Sequence, residues 1–135
     1  MNTSILCTLL AQRINPEYFQ LWGLDAHWMD DAYDTPANRA IVADVVANYD
    51  TLKVAVIKAD KLAEIRADAK AVIEAKYPVW YQANVANGIY STVIGDTMKA
   101  GITSVITESN RCEDLVDAAT TEAEINAVTP VWPVL

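Results

Sequence analysis

Hydrophobic positions recur every three to four residues over most of the chain, which is the signature of amphipathic helices with one buried stripe. Ile5, Leu6, Leu9, Leu10 and Ile14 fit one face of a short helix, which Asn15-Pro16 then stops or turns. Thr35-Pro36 reads as a helix start, because threonine can cap free amides and proline tolerates the first helical position. Ile41, Val42, Val45 and Val46 continue that helix to about Asn48. The run Asn48-Tyr49-Asp50-Thr51 is the place for a break or bend, although one continuous helix is compatible with the absence of glycine and proline.

Residues 52–76 contain neither glycine nor proline and are dominated by Ala, Lys, Glu and Leu, so this is the clearest helix in the sequence. Ala55, Ala59, Leu62, Ile65, Ala69, Val72, Ile73 and Lys76 follow one face, with charges opposite. Such a rod, about 37 Å long at 1.5 Å per residue, is either the spine of a bundle or a coiled coil with copies of itself. Tyr77-Pro78 ends it, and residues 79–86 predict a short helix closed by an Asn87-Gly88 turn. Met98, Ile102, Val105 and Ile106 mark a helix over residues 97–108, continued by Cys112, Leu115, Val116 and Ala119 after a kink expected at Ser109-Asn110. Thr121 and Glu124 have the spacing of a capping box, in which each side chain satisfies the other's backbone amide. A short last helix is therefore expected through Val128, followed by an extended tail with Trp132 and Pro133.

The expected fold class is all-α: a long Ala-rich helix, a compact bundle of shorter helices, and an irregular, aromatic-rich N-terminal segment. Three regions follow from the same pattern: residues 1–34 as a docking or core-plug segment, 35–77 as a helix pair or one long helix, and 78–135 as a small helical bundle with an extended tail. Five of the eleven aromatics, Tyr18, Phe19, Trp22, Trp28 and Tyr33, fall in the first region. They either plug the core or contact another chain.

The formal net charge of −8 over 135 residues argues against general nucleic-acid binding, which needs a concentrated basic surface. The densest basic group, from Lys53 to Lys76, is interleaved with Asp60, Glu64, Asp68 and Glu74 and reads as a solvated helix face. No apolar stretch approaches the roughly 20 residues of a membrane span, and residues 5–11 read as core rather than as a secretory signal. Cys7 and Cys112 read as two buried thiols, with a bridge between them left open.

His27, the one histidine, lies among Asp25, Asp30, Asp31 and Asp34, a set that could bind a divalent metal or supply a general base. The acidic residues lack the ligand alternation and glycine of a calcium loop, and a polar turn leading to Thr35 is the simpler reading. No nucleophile elbow or phosphate-binding glycine pattern is present. The expectation is a protein without catalytic residues, metal or cofactor. Tyr18, Phe19, Trp22, Trp28, Trp80 and Trp132 are the interface candidates, with Trp132 in its proline-flanked tail the strongest.

Over residues 71–133 the chain resembles a helical segment of tail-associated virion proteins of bacteriophages. The resemblance is carried by Tyr77-Pro78-Val79-Trp80-Tyr81-Gln82-Ala83-Asn84, by Met98, Ile102, Ile106, Ser109-Asn110 and Glu113, by Thr120-Thr121 with Glu124-Ile125, and by Trp132-Pro133. Thr35-Pro36 and Tyr49-Asp50-Thr51-Leu52 also resemble the linker helix of such proteins, and Tyr81 stands where a lysine is usual. The resemblance implies a virion component of the tail, fibre or baseplate that binds other virion proteins and copies of itself, and no nucleic acid or membrane. A tail-assembly chaperone absent from the mature particle is its nearest alternative, and a small metal-dependent enzyme or binder around His27 the more distant one.

Overall fold

The computed structural model describes residues 1–135. Helix accounts for 71% of them, in six α-helices and two short 3-10 turns, with one two-stranded sheet, so the all-α expectation holds to within one hairpin. No helix is long and apolar enough to cross a membrane. The chain divides into two compact units, Met1–Ile57 and Lys58–Leu135. This division falls inside a helix.

In the first unit, α1 (Thr3–Ala11) starts at Asn2, whose side-chain oxygen accepts the amides of Ser4 and Ile5. The hydroxyl of Tyr49 accepts the Asn2 amide at 2.8 Å, which fixes the start of α1 to a residue 47 positions away. A turn of 3-10 helix at Pro16–Tyr18 leads into β1 (Phe19–Trp22), which pairs antiparallel with β2 (Asp25–Trp28). The aromatic segment expected to be irregular is therefore a hairpin. Its turn is set by Gly23 at φ +67°, with no positive φ at Leu24, the pattern of a type II′ connection that matches strand twist. Opposed pairs Phe19–Trp28 and Leu21–Ala26 face inward, while Gln20–His27 and Trp22–Asp25 face outward.

Then comes α2 (Pro36–Ala47), capped by Thr35, whose hydroxyl accepts the Asn38 amide at 3.1 Å. The question of one helix or two after Thr35 resolves to two. Asn48 leaves the helical region, and its side-chain amide donates to the carbonyl and carboxylate of Asp44. Its own carbonyl accepts the amides of Thr51 and Leu52, so it ends one helix and opens α3 (Tyr49–Lys76). The core of this unit is Leu6, Leu9, Leu10, Ile14, Phe19, Val45 and Tyr49. Cys7 points away from it and is exposed, contrary to the buried thiol expected there; Cys112 is buried, and both thiols are free.

The second unit contains the rest of α3, then α4 (Val79–Ala86), α5 (Thr92–Ala118), α6 (Glu122–Ala127) and an extended tail. On α5, Gly95, Met98, Val105, Ser109, Cys112 and Val116 are buried at spacings of three, four and seven, one unbroken helical face. The kink expected at Ser109-Asn110 is absent. The Ser109 hydroxyl donates to the Glu113 carboxylate at 3.0 Å instead of competing for backbone carbonyls, which leaves the helix ladder intact. Contacts Lys58 to the Asp117 carbonyl, Arg66 to Glu113, and Gly101 to Tyr77 run in opposite directions along α3 and α5, so the two helices are antiparallel. On α3, Ile65 and Ala69 are buried, whereas Ala55 and Ala59, which shared the expected seam, are exposed.

Gly88, at φ +71°, closes α4: its amide donates to the Val85 carbonyl and the Ile89 amide reaches back to Asn84, the paired bonds of a Schellman stop. Asn87-Gly88 is thus a helix terminus. The capping box is formed as expected, with the Thr121 hydroxyl accepting the Glu124 amide and Glu124 accepting the amides of Thr120 and Thr121. Those amides hold the Glu124 carboxyl below its usual range.

Candidate functional site

Four of the six aromatic candidates lie in the first unit and two in the second. Phe19 is 5% exposed and belongs to the core. Tyr18 is half-buried, its ring stacked on Tyr33 at 3.9 Å, and Trp28 is half-buried against the same core. Trp132 is half-buried as well. Trp22 and Trp80, by contrast, are 65% and 60% exposed, far more than a side chain recruited for packing.

Trp22 lies on the outer face of the hairpin, stacked on His27 with ring centroids 4.0 Å apart. Leu24 at the turn and Met29 beyond β2 are also exposed. Two of the four carboxylates around His27 have local partners. Asp30 accepts the Ala32 amide at 2.8 Å, and Asp34 is paired with Arg39, which holds its carboxyl below the usual range, with a hydrogen bond from Trp28 acting in the same direction. No group of three or more histidine, cysteine or carboxylate side chains is arranged to hold a metal ion. His27 stands here as a ring stacked against a ring.

Trp80 stands at the start of α4, edge-on to Tyr81, whose ring also stacks on Tyr90 at 4.9 Å and lies tilted to Tyr77. Behind this aromatic row, Tyr77 is buried, and Gln82 donates to the Tyr77 carbonyl at 2.7 Å. The motif therefore divides its labour: Tyr77 and Gln82 secure the junction between α3 and α4, while Val79 and Trp80, 66% and 60% exposed, face solvent. Beyond α4, Ile89 and Val93 are 66% and 74% exposed. Ile89 and Val93 carry no local signal that would mark them in the sequence as contact candidates, since an exposed aliphatic reads there like a core one.

A groove of about 610 Å³ runs between α5 and α6, with Leu115, Ala119 and Val128 along it and Arg111 and Glu124 at its edges. Both charged groups are already engaged. Arg111 donates through Nε and Nη2 to the two oxygens of Glu108, and Glu124 serves the capping box. Glu108 also accepts the Val131 amide at 2.7 Å and so ties the tail to α5. First the Arg111 guanidinium and then the Val131 amide hold its carboxyl at about 2. Beside it the Cys112 thiol is pushed up, chiefly by burial, which keeps it protonated and a poor nucleophile.

Because the carboxyl of Glu108 is lowered on folding, its grip on the tail is complete above about pH 4.5 and lost as pH falls through about 2. The Val131 amide resonance is expected to titrate with a midpoint near 2; a midpoint near 4.5 would refute the contact. In Glu108→Gln the titration disappears, and exchange of that amide accelerates about tenfold or more.

No known protein family, curated protein or solved structure matches the chain.

Proposed function

We propose that this chain is a non-enzymatic structural or assembly protein of a bacteriophage virion, associated with its tail, fibre or baseplate. It acts through contacts with other virion proteins and with copies of itself. The observation that carries the reading is the tyrosine-proline motif of residues 77–84. These residues carry the resemblance, and on α4 they combine an internal brace at Tyr77 and Gln82 with a solvent-facing Val79 and Trp80. A large aromatic left exposed on a braced helix is the arrangement that supplies dominant contacts in protein interfaces. The same proposal takes α3 as an Ala-rich rod and the helices of the second unit as a compact bundle that presents this surface.

Mass spectrometry of purified particles of the phage that encodes the chain tests the reading. Peptides of the chain are expected at a fixed ratio to known tail components. Their absence from purified particles, with the chain present in infected cells, would overturn the virion assignment in favour of a tail-assembly chaperone.

A further inference from the structure

Between Lys76 and Asp96 lie nineteen consecutive residues without a charged side chain, in a chain that is 21% charged and has a net charge of −8. They form α4, its glycine stop and the first turn of α5. The exposed residues among them are mostly apolar: Val79 at 66%, Trp80 at 60%, Ile89 at 66%, Val93 at 74% and Ile94 at 39%. The stacking of Tyr81 on Tyr90 and the close approach of Val85 to Gly95, 3.1 Å from where a Cβ would stand, hold α4 against the start of α5. The patch is therefore braced rather than loose.

We infer that this charge-free face of α4 and the turn after it is where a second copy of the chain docks, in an antiparallel, two-fold arrangement centred on Ala83. Three observations select a second copy. On the exposed stripe of α4 the large residues Val79 and Trp80 come first, and the small residues Ala83 and Ala86 follow. Crossing the helix with an antiparallel copy of itself about Ala83 sets Trp80 over the partner's Ala86, a bump against a hollow at both ends. The charges elsewhere repel another copy, whereas this patch brings no carboxylate to the contact, so two copies meet with their acidic groups outside it. Finally, the exposed parts of the five apolar residues amount to roughly 600 Å² per copy, close to the roughly 800 Å² per partner of a standard stable interface once the intervening small residues are added.

The inference deepens the contact surface named in the proposed function and rests on it for that surface's role, but its test is separate. Sedimentation of the full chain between about 5 and 100 µM is expected to show dimers in the micromolar range, with no weakening as sodium chloride rises from about 0.05 to 0.5 M. Trp80→Glu is expected to leave far-UV circular dichroism unchanged and the chain monomeric throughout that range. In a Cys7→Ser background, Ala83→Cys should cross-link to a disulfide dimer with diamide, whereas Ala63→Cys, exposed on α3, should not. A monomer at the highest concentration, a dimer indifferent to Trp80→Glu, or binding of the monomer to phosphatidylcholine vesicles through this face would overturn the inference. A chain found in particles yet monomeric by these measures would overturn it alone and leave the virion reading standing.

Discussion

Gly101→Val is expected to destabilise the second unit by about 3 kcal/mol, the upper part of the range for overpacking a filled core. Gly101 sits in the middle of a 27-residue helix, where glycine itself costs about 1 kcal/mol relative to alanine. Its retention has a steric cause. A Cβ there would lie 2.8 Å from the Tyr77 hydroxyl oxygen, 3.1 Å from its ring and 3.3 Å from Leu135. Tyr77 is 7% exposed and ends α3, so its ring cannot swing aside without moving the junction to α4. Valine adds two methyl groups to a position that already rejects the first carbon.

The smaller change separates the contributions. Gly101→Ala gains helix propensity but collides with the tyrosine hydroxyl, for a net loss of about 1 kcal/mol. Combined with Tyr77→Phe, which removes the nearest atom, the loss should shrink or reverse. Gly95→Ala faces a single methyl of Val85 at 3.1 Å and should lie within about 1 kcal/mol of wild type. Thermal unfolding of the four variants measures all of this. A Gly101→Val chain as stable as wild type would show that the close packing of α5 on Tyr77 does not exist.

Helix existence and type were readable because the apolar spacing is regular and the stops are chemically explicit: Thr35-Pro36, Tyr77-Pro78, and the box of Thr121 and Glu124. The hairpin was hidden. Its inward positions Phe19, Leu21, Ala26 and Trp28 alternate with Gln20, Asp25 and His27, but Trp22 places an aromatic on the outward face and breaks the apparent period of two. The unbroken α5 was missed for a related reason. Ser109-Asn110 resembles a break until the hydroxyl is seen to bond Glu113 one turn on. Of the interface candidates, sequence could identify the aromatics but not which of them the fold would consume. Phe19 and Trp22 are three residues apart on one strand, and the pleat sends the first into the core and the second to solvent. Long-range ties such as Glu108 to Val131 carry no local pattern at all.

Leu10→Ala is expected to remove about 3 kcal/mol from the first unit, by loss of transferred surface and by the cavity left behind. Leu10 is 0% exposed and belongs to the cluster, with Phe19, Val45 and Tyr49, in which the hairpin, α2 and the start of α3 share one core. The unit spans only Met1–Ile57, a size at which burial barely exceeds the entropy of ordering the chain. A loss of this size should therefore unfold the unit cooperatively. The measurement is hydrogen exchange read residue by residue: amides of α1 and the hairpin should lose protection in the variant, while those of α5 around Val105 and Cys112 keep theirs. Equal loss in both places would mean that the chain unfolds as one body, and loss confined to α1 would mean that the hairpin does not depend on this cluster.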